Sequence, residues 1–302
     1  MKFSISHGVL AGLAAFALAA GCGGDDGGGS APDAGGNNTS TLSLELNNLG
    51  DLGSDFVYEG WLITPTGPVS TGRFDMAAAS ETKTFSVASA DADVATTFVL
   101  TIEPATGDAP EPAATHVIAG DFASGSATLT AGHGAALGDD FSTAAGSYIL
   151  ATPSTSGIAD DFDQGVWFLD PMAGSMAGPG PSLTLPTLPD GWMYEGWVVG
   201  ANGPVSTGKF SAAAGADADG KGPTAGADGG PPFPGQDYID PAMVLTGGAV
   251  VISVEPSPDN AATPYFFKPL VDSAVKDVGA GMGQPLANVA ADSIASGMAT
   301  IQ

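Results

Sequence analysis

Tyr58-Glu59-Gly60-Trp61-Leu62-Ile63, followed by Gly67-Pro68-Val69-Ser70-Thr71-Gly72-Arg73-Phe74, is the stretch on which the fold turns. It returns as Tyr194-Glu195-Gly196-Trp197-Val198-Val199, followed by Gly203-Pro204-Val205-Ser206-Thr207-Gly208-Lys209-Phe210, at a constant offset of 136 residues. A second block repeats at an offset of 152: Phe98-Val99-Leu100-Thr101-Ile102-Glu103-Pro104 matches Val250-Val251-Ile252-Ser253-Val254-Glu255-Pro256. The 16 additional residues of the second copy fall in a Gly, Ala and Asp-rich stretch, Gly215 to Gly230. Upstream, Ser43-Leu44-Glu45-Leu46 is aligned with Ser182-Leu183-Thr184-Leu185. A long-period duplication of this kind means two copies of one structural unit.

The unit reads as β. Leu42, Leu44 and Leu46 alternate with polar residues, as do Phe98, Leu100 and Ile102, which is the period of a half-buried strand. Pro65-Thr66-Gly67-Pro68 and Ala201-Asn202-Gly203-Pro204 punctuate apolar runs as hairpin turns do. Further strands are expected at Ser126 to Thr130, Tyr148 to Thr152 and Val166 to Leu169, whereas the Ala-rich stretch Val271 to Ser296 suits short helical turns. Short strands at regular spacing with 45 Gly and 23 Pro in 302 residues predict an all-β chain of two related immunoglobulin-like β-sandwich units. The expected division is residues 41–172 and residues 173–302.

The N-terminus carries a different signal. A basic start at Lys2, an apolar run from Val9 to Ala20 too short to span a bilayer, and Leu18-Ala19-Ala20-Gly21-Cys22 together predict a secretory signal over residues 1–21. The last five residues resemble the lipobox of bacterial lipoproteins, which implies lipidation of Cys22. Residues 22–40, rich in Gly, Asp, Ser and Asn, read as a flexible tether. The expected location is the bacterial cell envelope, with the chain anchored to a lipid bilayer through Cys22, the outer membrane by preference, and facing away from the cytoplasm.

Charge narrows the partners. Thirty-three acids against 7 Lys and Arg leave a net charge of -26, a field that repels phosphate backbones, so nucleic acid is not expected as a partner. One cysteine forms no internal disulfide and no Cys-rich zinc site.

The Tyr-Glu-Gly-Trp strand and the Gly-Pro-Val-Ser-Thr-Gly-Arg-Phe strand after it resemble the extracytoplasmic C-terminal domain of the anti-sigma-K-factor family. The similarity covers Leu44 to Ile102 and again Leu183 to Val254. It implies a β fold and an envelope location. Members of that family hold their sigma factor through an N-terminal cytoplasmic domain followed by a transmembrane helix. Here the N-terminus reads as signal and tether, so the expectation is a binding or sensory module, with an envelope protein or a glycan as partner. A structural envelope lipoprotein without a specific ligand is the alternative, and a secreted hydrolase a third.

Within each copy, Trp61 and Trp197 read as core aromatics, with Tyr58 and Tyr194 on the opposite strand face. Alternation places Glu59 and Glu195 beside the tryptophans, a costly position for an unpaired carboxylate. The scarce bases Arg73 and Lys209 recur on the returning strand, which predicts cross-strand ion pairs Glu59 with Arg73 and Glu195 with Lys209, each worth about 0.2 to 1 kcal/mol if exposed. Glu103-Pro104 and Glu255-Pro256 read as strand stops with solvated acids. No catalytic group, metal or cofactor is expected. His116 and His133 have no equivalent in the other copy, and no nucleophile elbow accompanies Ser70 or Ser206. Asp139, Asp140, Asp160, Asp161, Asp163 and Asp217-Ala218-Asp219-Gly220 are oxygen donors of the kind calcium favours, but the last lacks the closing Glu of an EF-hand and reads as a solvated loop.

Overall fold

Alternating apolar residues and Gly or Pro turns build two many-stranded antiparallel sheets in the computed structural model, which describes residues 38–155, 161–174, 178–259 and 261–302. Cys22 and most of the expected tether lie outside the described residues. Seven strands run first: β1 (Thr39–Asn47), β2 (Phe56–Thr64), β3 (Gly67–Phe74), β4 (Ser80–Ala88), β5 (Thr97–Pro104), β6 (His116–Asp121) and β7 (Ser126–Thr130). Then come β8 (Ala145–Leu150), β9 (Gly165–Trp167), a small ribbon of β10 (Leu169–Gly174) and β11 (Gly178–Pro181), and β12 (Leu183–Thr184). The second copy continues with β13 (Trp192–Gly200), β14 (Gly203–Phe210), β15 (Gly235–Asp237), β16 (Ala249–Pro256), β17 (Leu270–Asp272), β18 (Gly283–Asn288) and β19 (Ser296–Ile301). The protein is all-β, as its pattern predicts. The Ala-rich stretch Val271 to Ser296 holds one short helical turn, the four-residue helix at Ala290–Ser293, and it also supplies β18.

The first sheet runs β3-β2-β5-β6-β7-β19-β1-β4, and the second runs β14-β13-β16-β17-β18-β8-β9-β15 with β12 also on β8. The two orders are equivalent position by position, with one exchange. Strand β19, at the C-terminal end, lies between β7 and β1, while β8 lies beside β18. The sheets therefore divide the chain differently from halves at residues 172 and 173: β8 and β9 belong to the second sheet and β19 to the first. Each last meander strand, β7 or β18, presents an open ladder edge, and an open edge must be paired or covered. Here the pairing strand comes from the other half of the chain.

Gly297 faces Leu46 across the β19–β1 ladder, and Gly146 faces Leu183 across the β8–β12 ladder. Leu183 is therefore the counterpart of Leu46, two residues beyond the alignment that the local pattern suggests. In the second sheet the long β1 is replaced by two short pieces, β12 and β9, on the same edge of β8. At the far edges, Phe74 of β3 and Phe85 of β4 meet at 5.5 Å without ladder hydrogen bonds. One apolar core takes Leu44, Phe98, Leu100 and Leu129 from the first sheet and Tyr194, Val250, Ile252 and Leu270 from the second. Residues Asn38–Gln302 are accordingly one compact unit.

Candidate functional site

The repeated motif makes the same polar cluster twice, and a β-bulge is the reason. In β2 and β3, Glu59 pairs with Arg73 and Gly60 with Gly72, but Trp61 pairs with Ser70, so Thr71 is the extra residue. The same slip between Gly196 and Trp197 leaves Thr207 over. Residues 70 and 73 are an odd number apart and would point to opposite faces of a regular strand. The bulge turns both toward Glu59 and Trp61. Glycine is needed at two points of it. Gly72 and Gly208 have φ of 124° and 111°, a conformation L side chains avoid. A Cβ on Gly60 would stand 2.5 Å from Thr71 Oγ1 and 2.9 Å from Phe98.

Trp61 and Trp197 are 3% and 2% exposed, consistent with core aromatics. Trp61 packs with Val99, Ala119 and Ala136 on the outer face of the sheet, whereas Tyr58 faces the main core. Each indole N–H donates to a hydroxyl on the neighbouring strand, Trp61 Nε1 to Thr101 Oγ1 at 2.9 Å and Trp197 Nε1 to Ser253 Oγ at 2.8 Å. Those hydroxyls donate in turn to Glu103 and Glu255. Glu103 also accepts from the N–H of Ala113 at 2.8 Å, and Glu255 from that of Tyr265 at 2.9 Å.

Both Glu103 and Glu255 are 0% exposed, which corrects their reading as solvated strand stops. Burial pushes the Glu103 carboxyl up, and pushes that of Glu255 up to about 7 against the pull of its hydrogen bonds from Ser253 and Tyr265. The proline after each still ends the ladder. Local sequence does not show this burial, because the partners of each acid, one hydroxyl two residues earlier and one amide ten residues later, become neighbours only through the fold.

The predicted cross-strand partners are adjacent. Arg73 Nε lies 3.5 Å from Glu59 Oε2, and Lys209 Nζ lies 3.7 Å from Glu195 Oε2. Ser70 donates to Glu59 and Ser206 to Glu195. Each base also reaches a third acid that the repeated motif does not contain: Arg73 stands 3.6 Å from Asp108 and Lys209 stands 3.3 Å from Asp259. Arg73 donates to the carbonyl of Pro104, and Lys209 to that of Asp259. Because Glu59 and Glu195 are buried, these are not exposed pairs of marginal worth, and their chief energetic role is to avoid an uncompensated buried charge. Burial pushes the Glu195 carboxyl up, with the Ser206 hydrogen bond and the Lys209 charge opposing it.

Arg73→Met should therefore leave Glu59 buried without its cation and lower the unfolding free energy by about 2 kcal/mol. Glu59→Gln in the same background should recover part of that loss. Urea denaturation of the two variants checks this, and equal stability of single and double variants would contradict it.

Among the described residues, Glu195, Glu255 and Asp259 also bring one oxygen each within 4.8 Å of one another, the kind of group that holds a metal ion, but Lys209 already places its ammonium against two of them. The other acid clusters make local hydrogen bonds. Asp139 accepts from Phe141 N–H, Asp140 from Ser142, and Asp161 from Thr152 and Thr155. Asp217 accepts from Gly235 N–H at 2.8 Å, and burial beside Asp219 pushes its carboxyl up to about 7. Asp160 lies outside the described residues. His116 Nδ1 bonds the Ala135 carbonyl at 2.8 Å, and His133 Nε2 stands 3.4 Å from Asp121.

A cleft lies where the two copies meet, between the segments Gly50 to Phe56 and Pro256 to Lys268. Two neighbouring cavities of about 200 and 340 Å³ open there, lined by Asp51, Leu52, Phe56, Tyr265, Phe266 and Lys268 among others. Phe266 lies so close to the Gly50 backbone that a Cβ there would be 2.5 Å from the ring. Leu52 comes from the first copy's β1–β2 connection and Phe56 from the start of β2, and Tyr265 and Phe266 come from the segment after β16. Nothing in the repeated motif marks either segment.

The fold and these clusters define a duplicated all-β protein in which each copy holds buried carboxylates against hydroxyls and a partly exposed cation on its outer face. The family model described as anti-sigma-K factor rskA, C-terminal, matches residues 15–117, about a third of the chain, so the first copy is similar to that domain. The matched stretch contains the first copy of both repeated blocks. No curated protein and no solved structure matches the chain.

Proposed function

We propose that this protein is an extracytoplasmic binding or sensory module held to a membrane by a lipid on Cys22, in the manner of an anti-sigma-factor-like C-terminal domain. The cleft between the copies carries this reading. It combines aromatic surface from Phe56, Tyr265 and Phe266 with charged groups of both signs at Asp51 and Lys268, the mixture from which ligand pockets are built. The similarity of residues 15–117 to the anti-sigma-K domain supports an envelope setting. Among the described residues no helix is long and apolar enough to cross a membrane, so membrane attachment in this reading rests on Cys22.

Labelling of growing cells with a clickable palmitate tests the anchor. The full chain should take up label and a Cys22→Ala variant should not; equal labelling of both removes the anchor. Affinity capture from envelope extracts tests the cleft, comparing the full chain with an Asp51→Asn, Leu52→Ser variant whose changes lie at its partly exposed rim. A membrane protein or glycan recovered by the first and lost by the second is the expected result. Identical recovery by both removes the cleft as the contact, and none by either favours a structural lipoprotein.

A further inference from the structure

The second copy's polar cluster differs from the first in one chemical respect. Where the first copy has Arg73, the second has Lys209, and only the amine of lysine becomes a nucleophile, because a guanidinium keeps its proton. Lys209 Nζ stands 3.3 Å from the Asp259 side-chain oxygen Oδ2, and its hydrogen bond to the Asp259 main-chain carbonyl holds it there. On the other side, Glu195 Oε2 is buried, makes no hydrogen bond, and faces the same nitrogen at 3.7 Å. The side chains of Glu195 and Asp259 are 5% and 9% exposed, so both carboxylates are largely stripped of water, while the Lys209 side chain is 25% exposed. An amine, a carboxyl and a second carboxyl able to move protons between them are thus assembled in a partly dehydrated site.

We propose that Lys209 and Asp259 condense to an intramolecular amide between Nζ and the Asp259 side-chain carboxyl carbon, with Glu195 carrying the protons. The ammonium gives one proton to Glu195, leaving a neutral amine that attacks the carboxyl carbon. The new C–N bond forms, one Asp259 C–O bond breaks, and two protons from the nitrogen leave with that oxygen as water. The amide keeps the third proton, so no oxidant, reductant or further reagent is needed. Burial holds the Glu195 carboxyl above the usual carboxylate range, where it can take a proton and return it. Fixed proximity supplies the effective concentration that the same condensation lacks between free side chains in water. The bond would tie β14 to the segment that leaves β16.

Mass spectrometry of the full chain after proteolysis tests this. The expected result is a branched peptide joining the Lys209 and Asp259 segments, lighter than the two linear peptides by one water, and stable to hydroxylamine. No corresponding product should join Arg73 to Asp108. Lys209→Arg should abolish the branched peptide and lower the melting temperature, and Glu195→Gln should reduce its yield. Linear Lys209 and Asp259 peptides of unmodified mass from the folded wild-type chain overturn the proposal. So does a loss of water within one linear peptide that hydroxylamine converts to a hydroxamate, which marks a succinimide at an Asp-Gly step such as Asp190-Gly191.

Discussion

Removal of residues 296–302 is expected to collapse the first sheet, with a loss of more than about 5 kcal/mol, comparable with the whole stability of an ordinary domain. Strand β19 is not a terminal ornament on that sheet. It pairs along its length with β1, from Leu42 opposite Ile301 to Asn47 opposite Ser296, and with β7, from Ser126 opposite Thr300 to Thr130 opposite Ser296. The Thr41 and Gln302 backbones exchange both hydrogen bonds beyond it at 2.9 Å. Ala299 is fully buried in the common core.

Its deletion leaves two ladder edges unpaired at once and uncovers the apolar residues of β1 and β7, and unpaired buried backbone groups cost about 1 to 3 kcal/mol each. Circular dichroism melting and limited proteolysis of the truncated chain check this. A truncated chain that melts within a few degrees of the intact one would show that the exchange of strands is decorative. A synthetic peptide of residues 294–302 should restore part of the lost resistance to protease.

Stability is also expected to fall as pH rises from about 4.5 to about 7. Glu255 has its carboxyl raised from 4.5 to about 7 by burial, and Asp217 from 3.8 to about 7. A raised folded pKa means the native state binds the proton more tightly than the unfolded chain does, so the benefit is complete below the unfolded value and is lost as pH passes through the folded one. For Glu255 alone that is about 3 kcal/mol across the window. Glu81, Asp121 and Asp140 are lowered by their hydrogen bonds and work the other way, their contributions fading only in more acid solution.

Glu255→Gln should raise stability at pH 8 and flatten the dependence. The amide oxygen can still accept from Ser253 and Tyr265, while its NH₂ sits among the oxygens of Glu195 and Asp259. Denaturant titrations at pH 5 and pH 8 measure the effect. A Gln variant with the same pH profile as the wild type would place the titration elsewhere.

How much of this was legible in the sequence differs from element to element. The bases Arg73 and Lys209 could be placed opposite their glutamates because cross-strand neighbours follow from hairpin register, a local property. Trp61 and Trp197 could be placed in the core because a large apolar side chain on a strand has nowhere better to go. Ser70 and Ser206 could not be placed on the same face as the bases, because the bulge at Thr71 and Thr207 breaks the alternation; Gly72 and Gly208 after it were the available signal. Asp108 and Asp259 carry no local signal, because they stand outside the repeated blocks and reach their bases across loops.

What the sequence determined by itself is the duplication, the all-β class, the hairpins and the opposed charges within each copy, all set by periodicity and turn chemistry over a few residues. What only the tertiary structure decided is which strand closes which sheet, the burial of Glu103 and Glu255, and the cleft between the copies. Strands β8 and β19 offer similar edges to β7 and β18, so local pattern does not choose between them. The choice is made by the path of the intervening chain and by one core that both sheets must fill together.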